Sequence, residues 1–267
     1  MARLKGCGGA VYVEQHVIED CEDVWNEQVD GDVTASLDTS DYKVGSGSNK
    51  FVCAAPLGAG DIIASEVIVA LDISGYTTLM MWAKSSVLTA AADLQLLLDD
   101  TAMCASPVIT SDLPILEADV WKLCVMAETL TGATAIISVG LNYAVDIGAA
   151  DIRIDHIVAA KAVAGIRSWS LDHVMNIEDT TGFDSSCHKT FAPTVDEWAG
   201  TFEGFKDGAP LDIGSVVLLE LRESGTATQQ WRGNAIVTAI HPNVPVAGVV
   251  AYSYDFQGTG KLEVASA

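Results

Sequence analysis

Apolar and polar residues alternate along most of this chain, in short runs separated by Gly, Asp, Asn and Ser. Examples are DIIASEVIVALDI, TTLMMWAKSS and DIRIDHIVAA in the first part, and SVVLLELRE, WRGNAIVTAI and VVAYSYDFQG near the end. A period of two is typical of β-strands whose two faces meet different environments. Helical spacing is rare, and TVDEW would form at most one short helix. The pattern predicts an all-β protein with little helix.

The segment KAVAGI, at residues 161–166, separates two such patterns. A strand-like run, DIRIDHIVAA, closes the first, and IRSWSLDHV opens the second with new turn residues after it. We therefore expect two domains, residues 1–163 and 164–267, and both lengths are usual for domains. The first carries 8 basic and 23 acidic residues, a net charge of −15, and the second 6 and 13, a net charge of −7.

Composition and charge exclude several classes of protein. The 267 residues are 49% apolar and carry a formal net charge of −22. So much apolar content excludes a globally disordered acidic chain. So few cations exclude a protein that grips nucleic acid over a broad surface, because each phosphate contact needs one. The start, MARLKGCGGAVYVEQ, lacks the apolar stretch of a signal peptide, and no run is apolar enough to span a membrane.

Residues that could carry chemistry are scattered rather than grouped. The six cysteines form no C-x-x-C pair, which favours reduced, buried thiols in a protein made in a cytoplasm. The segment GSGS at 45–48 is no nucleophile elbow, GTGK at 258–261 is no phosphate loop, and no H-E-x-x-H occurs. The adjacent pair Cys187 and His188 is a weak candidate for a catalytic dyad. We predict no enzyme.

Three short motifs in the first half carry a family resemblance. They are the turn GSGS at 45–48, the strand DISGYTTLMMW at 72–82 and the closing strand IDHI at 154–157. Over about residues 10–163 they resemble the jelly-roll carbohydrate-binding-module superfamily, also called galactose-binding-like. The resemblance implies a two-sheet sandwich, an N-terminal jelly roll.

The same resemblance bears on two kinds of site, a structural calcium site and a sugar-binding site. Members often hold a structural calcium beside a carboxylate of the last strand, which Asp155 matches, and Asp151, Asp38 and Asp41 could add oxygens. The alternative is that these are solvated surface acids, and DGDVTASLDTSD fails as an EF-hand because Ala35 replaces the required Gly. Sugar binding would need aromatic platforms. Core packing is the better expectation for the tryptophans of this half, Trp25, Trp82 and Trp121.

The second half carries a more specific set of motifs in order. WAGTFEG at 198–204 is followed by GNAIVT at 233–238 and YSYDFQGTG at 252–260. Over residues 165–264 this order resembles phage tail tube proteins of the long-tailed type, although Ala199 stands where Ser is common and the added domain comes first. The family implies a β-sandwich or barrel that forms hexameric rings. These rings stack into a tube around a DNA channel, with strands of adjacent subunits joined in one inner barrel.

The resemblance suggests roles for individual residues. Residues that either pack in the core or meet a neighbouring subunit are Trp169, Thr180, Thr181, Phe183, Trp198, Phe202, Gly204, Phe256, Gly258 and Gly260. An acidic channel would repel DNA phosphates, and its candidate acids are Asp172, Glu178, Asp179, Glu203 and Asp207.

These expectations lead to one hypothesis and one rival. The chain is expected to be a virion structural protein, a homo-oligomeric tail tube subunit of a bacteriophage with its jelly roll outside. Its partners would be itself, other virion proteins and DNA as passing cargo. No cofactor is expected, and a structural calcium near Asp155 is the alternative that the resemblance leaves open. The rival is a capsid decoration or adhesion protein whose jelly roll binds host surface glycans.

Overall fold

The computed structural model describes residues 9–183, 188–205, 211–214, 216–224 and 229–265. Sixteen β-strands account for nearly all the regular structure of these residues, which confirms the predicted all-β class. TVDEW lies within a strand, so the short helix considered for it is not formed. The strands are β1 (Ala10–Glu19), β2 (Gln28–Val29), β3 (Val33–Asp38), β4 (Ser48–Cys53), β5 (Asp61–Leu71), β6 (Thr78–Ser85), β7 (Leu94–Asp99), β8 (Ile109–Asp112), β9 (Lys122–Ala127), β10 (Ile136–Tyr143), β11 (Ala150–Ala162), β12 (Ile166–Asp179), β13 (Phe191–Phe205), β14 (Val216–Arg222), β15 (Gln230–Asn243) and β16 (Ala251–Ala265).

The chain folds into two compact units. One, here called the sandwich unit, is Glu14–Lys161. The other, here called the sheet unit, combines the residues up to Val13 with those from Ala162 onward. The first residues of β1 thus belong with the C-terminal part of the chain, where Ala10 pairs with Arg222 and Val13 with Leu219. Nothing in the local sequence indicates this pairing, because the two segments are more than 200 residues apart.

The sandwich unit consists of two antiparallel sheets. One places β11 between β4 and β6, with β3 and β9 outside them. The other has the order β2-β5-β10-β7-β8. The alternating apolar residues of both sheets form one large core, in which Trp25 contacts Phe51 with ring centroids 5.6 Å apart. The buried free thiols Cys21, Cys53, Cys104 and Cys124 behave as small apolar side chains.

The sheet unit is a curled antiparallel sheet in the order β12-β13-β16-β15-β14-β1. One face carries a second core, centred on Trp198, Phe202 and Phe256. The indole N–H of Trp169 in β12 donates to the backbone oxygen of Arg222 in β14, at 3.1 Å. Since β12 and β14 are not neighbours in the sheet, this bond shows that the sheet curls over its own core. In the described part of the chain, no helix is long and apolar enough to cross a membrane.

Candidate functional site

The distal parts of β12 and β13 extend beyond the core as a two-stranded ribbon. Asp179 pairs with Phe191 near its tip, and Val174 pairs with Glu197 near its start. Every residue from 172 to 179 is exposed, as are all residues from 191 to 197 except the half-buried Ala192. This ribbon, residues 172–179 and 191–197, is called the arm below. Its strands continue well past Val174, the last residue of the strand-like run IRSWSLDHV that the sequence indicates.

The two faces of the arm differ in polarity. Residues directly opposite in an antiparallel pair share a face, and alternate residues share a face within a strand. One arm face therefore continues the core face of the sheet and carries the apolar side chains of Met175, Ile177, Phe191 and Pro193, together with Asp179 opposite Phe191 and Asp196 opposite Met175. Ile177 is 63% exposed and Phe191 52% exposed, and the ammonium group of Lys189 lies 5.9 Å from the centre of the Phe191 ring.

Trp198 anchors the arm where it joins the core. Its side chain is 2% exposed, and its indole N–H donates to the Gly260 oxygen at 3.0 Å. The ring lies over the backbones of Gly233 and Gly258, where a Cβ atom would collide with it. The alternation of aromatic residues with glycine in WAGTFEG thus reflects close packing on one face of the sheet.

The opposite face of the sheet is polar. Ser168 donates to Glu203 at 3.0 Å across β12 and β13, and the hydroxyl groups of Ser170 and Thr201 lie 3.0 Å apart. Asp255 in β16 lies beside Thr201 and pairs with His241 at 3.0 Å. The central segments of this face, residues 168–172, 199–203 and 253–257, carry three acidic side chains, those of Asp172, Glu203 and Asp255, together with several hydroxyl groups, and contain neither Lys nor Arg.

Three carboxylates, those of Asp172, Glu203 and Asp255, therefore give this face its charge. Asp172 and Glu203 are two of the five acids singled out from the sequence, and both are exposed. Glu178 and Asp179 lie instead near the tip of the arm, on opposite faces. Asp207 lies outside the described residues. The sequence analysis did not single out Asp255, although its place between alternating aromatic residues in YSYDFQG indicates the polar face.

The other residues singled out from the sequence fall into two groups. Those in the sheet are mostly buried: Phe202 and Phe256 are 1% and 3% exposed, Gly204 is buried, and Trp169 and Gly258 are half-buried. The others are exposed: Thr180, Thr181 and Phe183 lie in the connection after β12, and Gly260 lies in β16. The hydroxyl and amide groups of Thr181 bond Asp179 and thereby lower the pKa of that carboxyl group. Gly260 contacts the buried group directly, because its backbone oxygen accepts the indole N–H of Trp198 at 3.0 Å.

The tip of the β15–β16 hairpin is an exposed apolar segment that the sequence analysis did not single out. Residues 244–249 read VPVAGV, and Val244, Val246 and Val249 are 70%, 110% and 61% exposed. This segment is called the valine tip below. Its signal in the sequence was the absence of charge in a turn between two strands, where polar residues are usual.

The surroundings of Asp155 do not suit a calcium ion. Its Oδ2 accepts the backbone N–H groups of Lys43 and Val44, at 2.6 and 2.9 Å. The side chain is fully buried, and burial raises the pKa of the carboxyl group to about 6. A hard cation needs six to eight oxygen ligands, whereas amide donors and the buried Cys21 thiol lie here. No group of three or more His, Cys, Asp or Glu in the described part of the chain could hold a metal ion.

The aromatic residues of the sandwich unit offer little platform for a sugar. Trp25 and Trp82 are buried, as expected for core packing. Trp121 is half-buried and donates its indole N–H to Asp41 at 2.7 Å. Tyr42, the residue after Asp41, is 41% exposed. Lys84 and Arg153 also pair with Asp41, so this small surface combines aromatic and hydrogen-bonding groups.

No protein-family model and no curated protein sequence matches the chain. Among solved structures, it is similar to a chain in the tail of an empty gene transfer agent particle with C6 symmetry. The two share 15% identity over 40% of this chain and 87% of that one, with a TM-score of 0.34. Two further likenesses are to carbohydrate-related proteins. The CBM22 tandem domain of Paenibacillus barcinonensis Xyn10C is 12% identical over 97% of this chain and 84% of that one, with a TM-score of 0.33. The glycoside hydrolase domain of Endo-D from Streptococcus pneumoniae is 12% identical over 85% of this chain and 36% of that one, with a TM-score of 0.35.

Proposed function

We propose that the chain is a virion structural protein, a tail tube subunit of a bacteriophage. Its sheet unit assembles into stacked rings around a DNA channel, and the sandwich unit decorates the outside. The exposed apolar arm is the observation that carries this proposal. The motifs WAGTFEG, GNAIVT and YSYDFQGTG support it, because their order resembles that of tail tube proteins.

The arm requires a partner on physical grounds. A two-stranded ribbon is marginally stable by itself in water, and this one also exposes Ile177 and Phe191. An apolar strand pair that extends from a core is stabilised when a further surface covers it. A second copy of the chain is the occupant that self-assembly supplies, and burying the two side chains would contribute about 1.5–3 kcal/mol each.

The edge of the sheet gives a second reason for assembly. Among the described strands, β12 pairs only with β13, so the backbone N–H and C=O groups of about every second residue along this 14-residue strand point outward without a strand partner. Long unpaired edges invite pairing with another chain, and closing strands into a ring removes the edge altogether. A ring of copies in which β12 meets a strand of the next copy would satisfy these backbone groups.

The polar face suits a channel through which DNA passes. It presents carboxylates and hydroxyls, with Asp172, Glu203 and Asp255 separated by small side chains. DNA bound along the central segments of this face would find neither Lys nor Arg there with which to neutralise phosphate charge, and the carboxylates would repel it. DNA would therefore be cargo rather than a ligand. Further virion proteins would be the partners at the ends of the tube, and the virion is the expected location.

One observation favours a second function, glycan binding by the sandwich unit in an adhesion or capsid decoration protein. Tyr42 and Trp121 flank Asp41, and Lys84 binds the same carboxylate at 2.9 Å. Aromatic rings beside fixed polar groups are suited to stacking on and hydrogen bonding with a sugar. A glycan array probed with the full chain tests this, and the Tyr42→Ala variant should then lose any signal; an array without binding would contradict it.

Sedimentation velocity and negative-stain microscopy of the purified full chain test the leading proposal. We expect large, salt-resistant particles that appear as rings or tubes with a central hole. A pair of variants identifies the arm as the cause: Phe191→Ser should remove the particles, whereas Val69→Ser, at an even more exposed apolar position of the sandwich unit, should leave them intact. Monomers or trimers of the unmodified protein at all concentrations would contradict the proposal.

A further inference from the structure

A groove lies between the end of β1 and the second half of β5, within the sandwich unit. Its volume is about 500 Å³, and it is lined by residues 16–20, Asp23 and residues 66–71. Among the described strands, β5 pairs with β2 only at Ala64 and Ser65, so one edge of β5 has no strand partner beyond Ser65. The backbone N–H and C=O groups along such an edge are a template for a further strand.

The two faces of β5 present different side chains beside this free edge. Glu66 and Ile68 lie on one face, and Val67 and Val69 lie on the other. Val67 is 56% exposed and Val69 89% exposed. On the side of Glu66, Glu19 of β1 lies near enough for the two carboxylates to interact. A strand that paired with the free edge would therefore meet valine side chains on one face and carboxylates on the other.

The acidic side of the groove lacks a cation. Its four acids are Glu19, Asp20, Asp23 and Glu66. No Lys or Arg is among the described residues that line the groove. Burial and the three neighbouring acids raise the pKa of Glu19 to about 7. Lys161 lies towards the His16 end instead: its Nζ is 5.8 Å from the centre of the Tyr76 ring, which is 6.1 Å from the centre of the His16 ring.

The N-terminal residues 1–8, which lie outside the described residues, have a sequence that matches both faces. In ARLK at 2–5, Arg3 and Lys5 alternate with Ala2 and Leu4. No other two Lys or Arg residues of the chain lie within five positions of each other. Paired as a strand, this segment would present two cations on one face and Leu4 on the other.

The segment is too short to reach the acids of its own copy. It precedes Ala10, the first residue of β1, whereas Glu19 is the last. These nine residue steps correspond to about 30 Å of strand. The seven steps from Arg3 to Ala10 span about 23 Å when fully extended, and the chain would also have to reverse its direction. The segment of a second copy is under no such restriction.

We propose that residues 2–5 of one copy add as a strand to the free edge of β5 in a second copy. Arg3 and Lys5 then lie beside Glu19 and Glu66, and Leu4 covers the valine side chains. The contact joins different surfaces of the two copies, so it can be repeated from copy to copy. It goes beyond the proposed function, because it links copies through the sandwich unit and ring formation by the sheet unit does not require it.

Binding of a labelled synthetic peptide, MARLKG, tests the complementarity by fluorescence anisotropy. The full chain carries Arg3→Glu and Lys5→Glu, so that its own segment does not compete. We expect saturable binding that Asp23→Lys weakens at least tenfold relative to Asp100→Lys, an equal change of charge at another exposed acid of the sandwich unit. The peptide MALRKG keeps the composition but breaks the alternation, and should also bind at least tenfold more weakly. Equal binding of the two variants, or of the two peptides, would overturn the docking.

Cysteine cross-linking tests whether the partner is a second copy. In a background with Cys7→Ser and Cys187→Ser, one preparation carries Leu4→Cys and another carries Val69→Cys. Mild oxidation of the mixture should give a mixed covalent dimer, in at least tenfold excess over the dimers of either preparation alone. A chain with both substitutions, oxidised at high dilution, should form no internal disulfide. An internal disulfide there, or no mixed dimer in the mixture, would overturn the proposal.

Negative-stain images separate this contact from the ring. Arg3→Glu with Lys5→Glu should abolish the mixed dimer when added to the Leu4→Cys preparation, and should leave the rings intact. Loss of rings in this variant would overturn the assignment of the contact to the sandwich unit alone. Absence of rings from the unmodified protein would contradict the proposed function, whereas the docking is decided by the peptide and the cross-link.

Discussion

The indole ring of Trp198 lies over the backbone of Gly258, with no space between them for a side chain. A Cβ atom at position 258 would overlap three ring atoms, and the ring cannot move away because its N–H is bonded to the Gly260 oxygen at 3.0 Å. This contact joins β13 to β16 at the point where the arm leaves the core. The stability of the sheet unit therefore depends on the absence of a side chain at residue 258.

Replacing this glycine tests the contact. Gly258→Ala should destabilise the protein by about 1–3 kcal/mol, because an added methyl group in a packed core forces its neighbours to shift. The measurement is the free energy of unfolding from urea denaturation. Gly75→Ala is the control, because nothing lies within 4 Å of a Cβ at that position. Equal stability of the two variants would show that Trp198 is free to move.

The buried carboxyl group of Asp155 predicts a dependence of stability on pH. Burial raises its pKa in the folded state to about 6 from an ordinary value of 3.8. The folded state therefore binds more protons than the unfolded state between these values, and stability from this group is lost as the pH rises through about 6. The loss amounts to about 3 kcal/mol, at 1.36 kcal/mol for each pKa unit.

Asp155→Asn removes this titration while keeping an oxygen that can accept the N–H groups of Lys43 and Val44. Relative to the unmodified protein, the variant should gain about 3 kcal/mol in the free energy of unfolding between pH 4 and pH 7. Urea denaturation at the two pH values measures it. Asp100→Asn, at an exposed position, should show no such gain. A constant difference between Asp155→Asn and the unmodified protein would refute the raised pKa.

A carboxylate buried between two arginines stabilises the part of the sheet unit formed by β14 and β15. The Glu220 side chain is fully buried, one oxygen bonded to Arg222 and the other to the Nε of Arg232 at 2.7 Å. Glu220→Ala should cost about 3–5 kcal/mol, because it leaves two guanidinium groups without their carboxylate. Calorimetric melting temperatures measure the loss. Glu197→Ala, at an exposed position on the arm, should stay close to the unmodified protein.

Reversing the charge of the polar face tests the proposal that DNA passes this face without binding to it. Glu203→Lys combined with Asp255→Lys changes the charge of each subunit by four. We expect the variant to bind DNA at low salt and to release it steeply as salt rises, because lysines release counterions from phosphates. Fluorescence anisotropy with labelled duplex DNA measures the binding. Asp100→Lys with Glu117→Lys, an equal change on the sandwich unit, should bind at least tenfold more weakly; equal binding would mean that only net charge matters.

Local sequence pattern predicted the all-β class and the shared face of Trp198, Phe202 and Gly204, because residues two apart in a strand place their side chains on the same face. The length of the arm was not predictable. Residues 175–179 and 191–197 are polar enough to read as a loop, and their strand state depends on pairing with each other. The pairing of Val13 with Leu219 and the burial of Asp155 and Glu220 depend on contacts distant in sequence. Such contacts leave no periodic signal.

At the candidate site, Asp255 and the valine tip show the same limit of local sequence pattern. The alternation in YSYDFQG indicates that Asp255 faces away from the aromatic residues, but Asp255 shares a face with Glu203 only because β16 pairs with β13, and that pairing cannot be read from the sequence. The valine tip lies in a turn, and local pattern alone would assign apolar residues next to a strand to the end of that strand. Its exposure became apparent only once the hairpin placed it beyond the sheet.

The central claim is that the sheet unit builds a tube with the polar face toward a channel. Cryo-electron microscopy of the assembled full chain, reconstructed with the symmetry that the images themselves define, tests it most directly. The account predicts rings with a continuous central channel, with Asp172, Glu203 and Asp255 on its wall and the arm covered by a neighbouring copy. A particle without a channel, or one in which the polar face lies outside and the arm remains in solvent, would contradict it.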